Sequence, residues 1–255
     1  LGGKIYIYSG RGGVSMAPVE EHGSLLVFDP VALDWSVLSP VDGKAPYPEA
    51  RSYHCLASDG SDTIYVHAGC PEKGRLSDLW SFQVSRRRWT KLASAPDPPR
   101  GGASIAFTTG LLFRMHGFDG TREQGGSLDI YDPDTDRWST LKYTPDGNSG
   151  PIPSSVSSLL PITINGRASL VTIFGELDPS AYGHEGAGKM SDYVWRYDID
   201  DKKWSQIRLD AGEKPAPRGW FAADTVGTSK VVVHGGLDED NNRLGDIWMV
   251  DLSAS

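Results

Sequence analysis

Short runs in which apolar and polar residues alternate recur along the whole chain. They read KIYIYSG at 4–10, LLVFD at 25–29, TIYVHAG at 63–69, LWSF at 79–82, LLFRMHG at 111–117, LDIYD at 128–132, SLVTIFG at 169–175, VWRYD at 194–198, KVVVHGG at 230–236 and IWMVDL at 247–252. A period of two marks half-buried strands, and the glycines that close many of the runs mark turns. No segment carries the 3.6-residue period of a normal amphipathic helix. A second pattern lies over the first. Trp35, Trp89, Trp138 and Trp204 follow one another at spacings of 54, 49 and 66 residues, each after a strand and a polar turn such as DPDTDR. Upstream of the glycine-ended runs stand ARSYHCLAS (50–58), PRGGASIAF (99–107), IPSSVSSLL (152–160) and PRGWFAADT (217–225).

Each unit of about fifty residues therefore predicts four antiparallel strands: a after the Pro/Arg segment, b into the glycines, c into the Asp turn, and d at the Trp. That is the pattern of a β-propeller blade, and the glycine pair with a trailing Trp is its kelch form. The blades fall at about 1–40, 50–92, 100–141, 154–207 and 218–252, in one all-β domain over 1–255. The first lacks strand a and the last lacks strand d. Two more strands would close five blades and six more would close six, so the strand count predicts a chain that lacks an N-terminal part.

Composition sharpens this picture. Thirty Gly, 17 Pro, eight Trp, ten Tyr and seven Phe suit a turn-rich fold with aromatic packing and argue against disorder. No apolar run is long enough to span a bilayer as a helix. The formal charge of −8 disfavours nucleic acid as the main partner, because phosphate binding needs a basic face. Two cysteines, Cys55 and Cys70, make no disulfide framework; both read as inert, and the expected compartment is the reducing cytoplasm.

In antiparallel blades the d-to-a connection and the b-to-c loop emerge on one face. Arg51, Arg100 and Arg218 open strands a there, and Phe118 starts a loop on that face. The longest b-to-c loop, ELDPSAYGHEGAGKMSD at 176–192, holds Glu176, Asp178, His184 and Glu185, residue types that can bind a divalent metal such as Fe(II). A solvated loop is the plainer alternative. For Arg100 and Arg218 the alternative is a tie between neighbouring blades. His67, His116 and His234, near the strand-b glycines, read as packing residues, and the four repeat Trp as inter-blade core.

The loop FGELDPSAYGHEGAG resembles that of the plant specifier proteins, the kelch family of nitrile-specifier, thiocyanate-forming and epithiospecifier proteins. ARSYH (50–54), PRGGASIAF, HGFDG (116–120), PRGWFAAD (217–224) and VHGG (233–236) resemble family segments in the same order. The resemblance implies six blades and an Fe(II) cofactor acting on unstable, sulfur-containing glucosinolate aglycones, with nitrile-type products. It implies Glu176 and His184 as iron ligands, Arg51 as sulfate binder and Trp220 as pocket wall; Arg100 and Phe118 are further substrate-side candidates from their place on the shared face alone. Ser180 stands where the family carries its ligating Asp, and Asp178, two residues earlier, is the nearest acid. The expected partner is a small molecule. A non-enzymatic kelch module binding a protein on the same face is one alternative, and a metal-independent lyase or isomerase on the same scaffold is another.

Overall fold

The computed structural model describes residues 1–179, 186–209 and 214–253. Every regular element among them is a strand. The blade strands form three four-stranded antiparallel sheets, preceded and followed in sequence by a three-stranded one. The first sheet holds Ile5–Ile7, Leu25–Asp29 and Asp34–Leu38. The next three hold Cys55–Ser58, Thr63–Gly69, Leu76–Gln83 and Arg88–Leu92; Ser104–Thr108, Leu111–Met115, Ser127–Asp132 and Arg137–Lys142; and Ser158–Ile164, Arg167–Ile173, Val194–Asp198 and Lys203–Ile207. The last holds Ala222–Val226, Lys230–Leu237 and Arg243–Asp251. Five kelch blades of the propeller are present among the described residues, and among them the first has no strand a and the last no strand d, as the repeat predicted. No described helix is long and apolar enough to cross a membrane.

The chain divides into two compact units: Leu1–Gly101 with Tyr131–Trp138, and Gly102–Ile130 with the segment from Ser139 onward. In the first, Tyr8, Leu25, Ile64, Val66, Trp80, Phe82 and Trp89 form the core. Each strand-d Trp packs on an aromatic ring of strand c, with centroid distances of 4.9 Å for Phe28–Trp35, 4.9 Å for Phe82–Trp89 and 5.2 Å for Tyr131–Trp138. Trp89 and Trp138 reach back to the preceding blade, donating from Nε1 to the Gly23 carbonyl at 2.7 Å and the Ala93 carbonyl at 2.8 Å. Trp35 departs from the core role expected of it. It is 54% exposed, because no preceding blade among the described residues covers that face of its strand.

In the second unit, Leu159, Leu170, Trp195, Tyr197 and Trp204 pack with Ala106, Phe113 and Met115. The other faces of the same strands bury Ile162, Ile164, Val171, Ile173 and Val194 against Val231 and Val233. Strands buried on both faces explain the near-continuous apolar run LVTIF, each fully buried Leu or Val contributing roughly 1.5–3 kcal/mol.

One backbone device repeats in every blade. Strand b ends in a residue with left-handed φ followed by a glycine: Ser9–Gly10, Ala68–Gly69, His116–Gly117, Phe174–Gly175 and Gly235–Gly236, the glycines at φ of 111, 98, 105, 108 and 111°. The glycine N–H donates to the residue that opens the next blade: Gly10 to Arg51 (2.9 Å) and Gly69 to Arg100 (3.0 Å) in the first unit, Gly117 to Ser154 (2.8 Å) and Gly175 to Arg218 (2.9 Å) in the second. A Cβ at 69 would lie 2.7 Å from the Ser52 carbonyl oxygen, and one at 175 would lie 2.6 Å from that of Ser155. Glycine is thus required by conformation and by space. The device also separates the histidines: His67 and His234 precede the left-handed residue, whereas His116 occupies that position itself.

Gly69→Ala and Gly175→Ala should each cost about 3 kcal/mol or more in urea unfolding, while alanine at the open turn glycine Gly227, which meets no neighbour within 4 Å, should cost less. A second expectation concerns His54, whose ring burial pushes down to about 4, the Arg51 charge adding to the effect. Between that value and the ordinary 6.5 the unfolded chain holds a proton that the folded one excludes. Stability from this group is complete above about pH 6.5 and falls as pH drops toward 4, by up to roughly 1.4 kcal/mol per pH unit. His54→Asn should flatten urea midpoints over that window.

Candidate functional site

The shared face predicted from strand parity is present within each unit. Bridges join the start of strand a to the end of strand b at Ser52 and Cys70, Ser155 and Glu176, and Gly219 and Leu237. In the second unit the residues after these starts, Gly102, Val156 and Trp220, all have left-handed φ of 63, 47 and 52°. They link hand to hand, Val156 N–H to the Gly102 carbonyl at 2.9 Å and Trp220 N–H to the Val156 carbonyl at 3.3 Å. Trp220, half-buried, therefore stands beside the segment that holds Glu176.

Glu176 opens a short strand, Glu176–Asp178, that pairs with Lys189–Met190 in the long loop of the fourth blade. An irregularity in register separates the two acids: Glu176 is only 6% exposed, whereas Asp178 is exposed. Glu176 exchanges both main-chain hydrogen bonds with Ser155, at 2.8 and 2.9 Å. Its Oε1 accepts the Gly188 N–H at 2.8 Å. Ser180 and His184 lie outside the described residues, as does Glu185.

Ser155 also serves a carboxylate that sequence reasoning missed. Its Oγ donates to Glu123 Oε1 at 3.2 Å. Glu123 lies in the b-to-c loop of the third blade, bridged to the half-buried Phe118. It is 8% exposed, and its Oε2 is buried without a hydrogen-bond partner. Burial pushes Glu123 up to about 8 against the pull of the Ser155 hydrogen bond, and the charges that act on it, Glu176, Asp119 and Asp178, are all acidic. The loop HGFDGTREQ sits on the predicted functional face, and that placement was the signal available for it.

The fourth blade also lacks a clasp found elsewhere. Arg51, fully buried, forks onto Asp78 at 2.6 and 2.9 Å and donates to the Glu49 and Ala68 carbonyls. Arg218 repeats this on Asp246 at 2.6 and 2.8 Å, with the Ala216 and Gly235 carbonyls, and holds the Asp246 carboxyl well below its usual range. Trp80 and Trp248 complete the two clasps from Nε1, at 2.8 and 2.6 Å. In the fourth blade Ser154 stands in the Arg place and Tyr193 in the Asp place, leaving Trp195 Nε1 buried without an acceptor. A cavity of about 10 Å³ remains, lined by Ser154, Thr172, Tyr193, Trp195 and His116.

The second unit thus gathers Glu176, Asp178, Trp220 and Phe118 around Ser155–Val156, and adds Glu123. Arg51 and Arg100 belong to the first unit. The fork that the family resemblance gives to sulfate lies on Asp78, and Arg100 is 3% exposed with Nε on the Pro98 carbonyl at 3.1 Å. Cys55 and Cys70 form no disulfide with each other, and burial pushes the Cys70 thiol up, away from thiolate chemistry. Among the described residues no three His, Cys, Asp or Glu side chains group as a metal set. The donor chemistry around Glu176 nonetheless suits a hard divalent cation: two buried carboxylates, with one oxygen of Glu123 left without a hydrogen-bond partner.

Residues 1–175 match the family model described as the KLHDC2/KLHL20/DRC7 Kelch-repeats domain, and the chain belongs to the kelch-repeat family. Across its whole length it is similar, at 27% identity, to the N-(sulfonatooxy)prop-2-enimidothioate sulfolyase of Thlaspi arvense, of which it covers 76%. It is also 27% identical to the F-box/kelch-repeat protein At1g51550 of Arabidopsis thaliana, over 86% of this chain and 47% of that one. Kelch-like protein 25 of Xenopus tropicalis is 28% identical over 57% of this chain and 24% of its own length. The specifier resemblance seen in ordered segments thus extends over the full chain.

Asp246→Asn leaves the buried Arg218 guanidinium without its counter-charge and, because the Asp246 carboxylate is itself 38% exposed, should cost about 1–3 kcal/mol in urea unfolding. Asp178→Asn, at an exposed loop acid, should shift the same curve by no more than about 0.5 kcal/mol.

Proposed function

We propose that the protein is a specifier-type kelch protein that uses Fe(II) at the Glu176 end of the fourth blade to direct the breakdown of a small sulfated, sulfur-containing metabolite, glucosinolate-derived, into nitrile-type products. The observation that carries this reading is the pair of buried carboxylates, Glu176 and Glu123, that meet at Ser155 where the longest b-to-c loop begins. Glu176, Asp178 and His184 are the residues that would hold the ion. When bound, Fe(II) supplies a Lewis acid with affinity for sulfur. Gly188 fixes one oxygen of Glu176, and the Ser155 main chain fixes its backbone, so the ligand is held in place before any ion arrives. Trp220 and Phe118 offer apolar walls for the substrate side chain. The name of the Thlaspi sulfolyase carries a sulfonatooxy group, and Arg51, in the first unit, is the sulfate binder that the resemblance implies. For Arg51 that role requires the guanidinium to share Asp78 with the substrate.

The test is product analysis with an aglycone released in situ, with and without Fe(II). The expected outcome is a nitrile-type product that depends on Fe(II), disappears with chelator, and falls by about a hundredfold in Glu176→Gln and His184→Ala. Ser180→Asp should raise iron affinity. A parent protein that binds no iron and shifts no product contradicts the proposal, and the reading then passes to a kelch module for a protein partner or to a metal-independent lyase or isomerase.

A further inference from the structure

We infer that Glu123 is a second carboxylate ligand of the centre at Glu176, so that two adjacent blades of the second unit jointly bind one divalent cation. The inference rests on the reading of Glu176 as a metal ligand and adds to it a residue from a different blade and a different loop.

Ser155 places the two acids. Its main chain pairs with Glu176 at 2.8 and 2.9 Å, and its hydroxyl donates to Glu123 Oε1 at 3.2 Å. One residue therefore holds a carboxylate on each side, and both are more than nine-tenths buried. The hydrogen bond to Ser155 uses one oxygen of Glu123, while Oε2 is buried and unpartnered. Buried polar atoms in folded proteins are satisfied, and an orphan carboxylate oxygen calls for a partner.

Two occupants could answer that need. A proton removes the charge, and burial among acids favours it, but it leaves Oε2 unpartnered on either oxygen: as a donor without an acceptor if it sits there, as a carbonyl oxygen without a donor if it sits on Oε1 and bonds Ser155. A cation neutralises the charge, relieves the repulsion from Glu176, Asp119 and Asp178, and gives Oε2 its partner. Carboxylate oxygens are hard donors, which selects Mn(II), Mg(II) or Fe(II) over soft ions. The repeat supports a special role: the b-to-c loop of the fourth blade presents Glu176 directly after its glycine, whereas the third blade delivers Glu123 from the far end of its loop, back to the same serine.

Calorimetric titration of the metal-free full chain with Mn(II) tests this, comparing the parent with Glu123→Gln, Glu123→Asp and Glu176→Gln. Both Gln variants should weaken Mn(II) binding roughly ten- to a hundredfold, and Glu123→Asp, which keeps the charge but shortens the reach, should weaken it by a similar order. Without metal, Glu123→Gln should unfold in urea at the same or a higher midpoint, because it removes a buried acid; a purely structural carboxylate would lower it. If Glu176→Gln loses Mn(II) while both Glu123 variants bind as the parent does, the inference is overturned and the Glu176 reading stands. If Glu123→Gln fails to fold, Glu123→Asp alone decides in the same way. If the parent binds no Mn(II) and no Fe(II), both fall together.

Discussion

Both units depend on one backbone hydrogen bond, the donation from the glycine that ends each strand b to the carbonyl that opens the following blade. It sets where each blade begins relative to its predecessor, and it forces the left-handed pair of residues that gives the kelch repeat its small-residue signature. Side chains elaborate on it. At Arg51 and Arg218 the residue whose carbonyl accepts this bond also sends its guanidinium back to an Asp of its own blade, tying strand a to strand c in a buried, bidentate pair. Such pairs are costly to break from one side, so they fix geometry more than they add net stability.

The fourth blade keeps the backbone bond and abandons the clasp. Ser154 accepts from Gly117 through its carbonyl as the arginines do, but its short side chain reaches no Asp, and a small cavity remains beside Trp195. The next residue, Ser155, then meets two acids, whereas its counterpart Gly219 stands against the Val156 and Met190 side chains. The blade with the longest loop has no Arg–Asp clasp, and its strand-a start meets both buried carboxylates.

Much of this was legible in the sequence. Period-two runs, glycine pairs and repeat Trp residues located the strands, the order of the sheets and the two incomplete blades, because each is a local pattern repeated by the same packing need. The Arg partners were half visible, since DLW at 78–80 and DIW at 246–248 recur in register with Arg51 and Arg218. What the sequence hid was non-repeating or long-range. Trp35 has the repeat signature but lacks a covering neighbour; His116 sits one residue off its apparent equivalents; and Glu123 meets Ser155 across 32 residues, a pairing no local pattern announces.

The central claim is that the acidic end of the fourth blade is a cation site shared with the third. Anomalous diffraction from a crystal of the full chain soaked in Mn(II) tests it most directly. A shared site gives a peak within about 2.0–2.6 Å of carboxylate oxygens from both Glu123 and Glu176. No peak there, or a peak on Glu176 with Glu123 turned away from it, would contradict it.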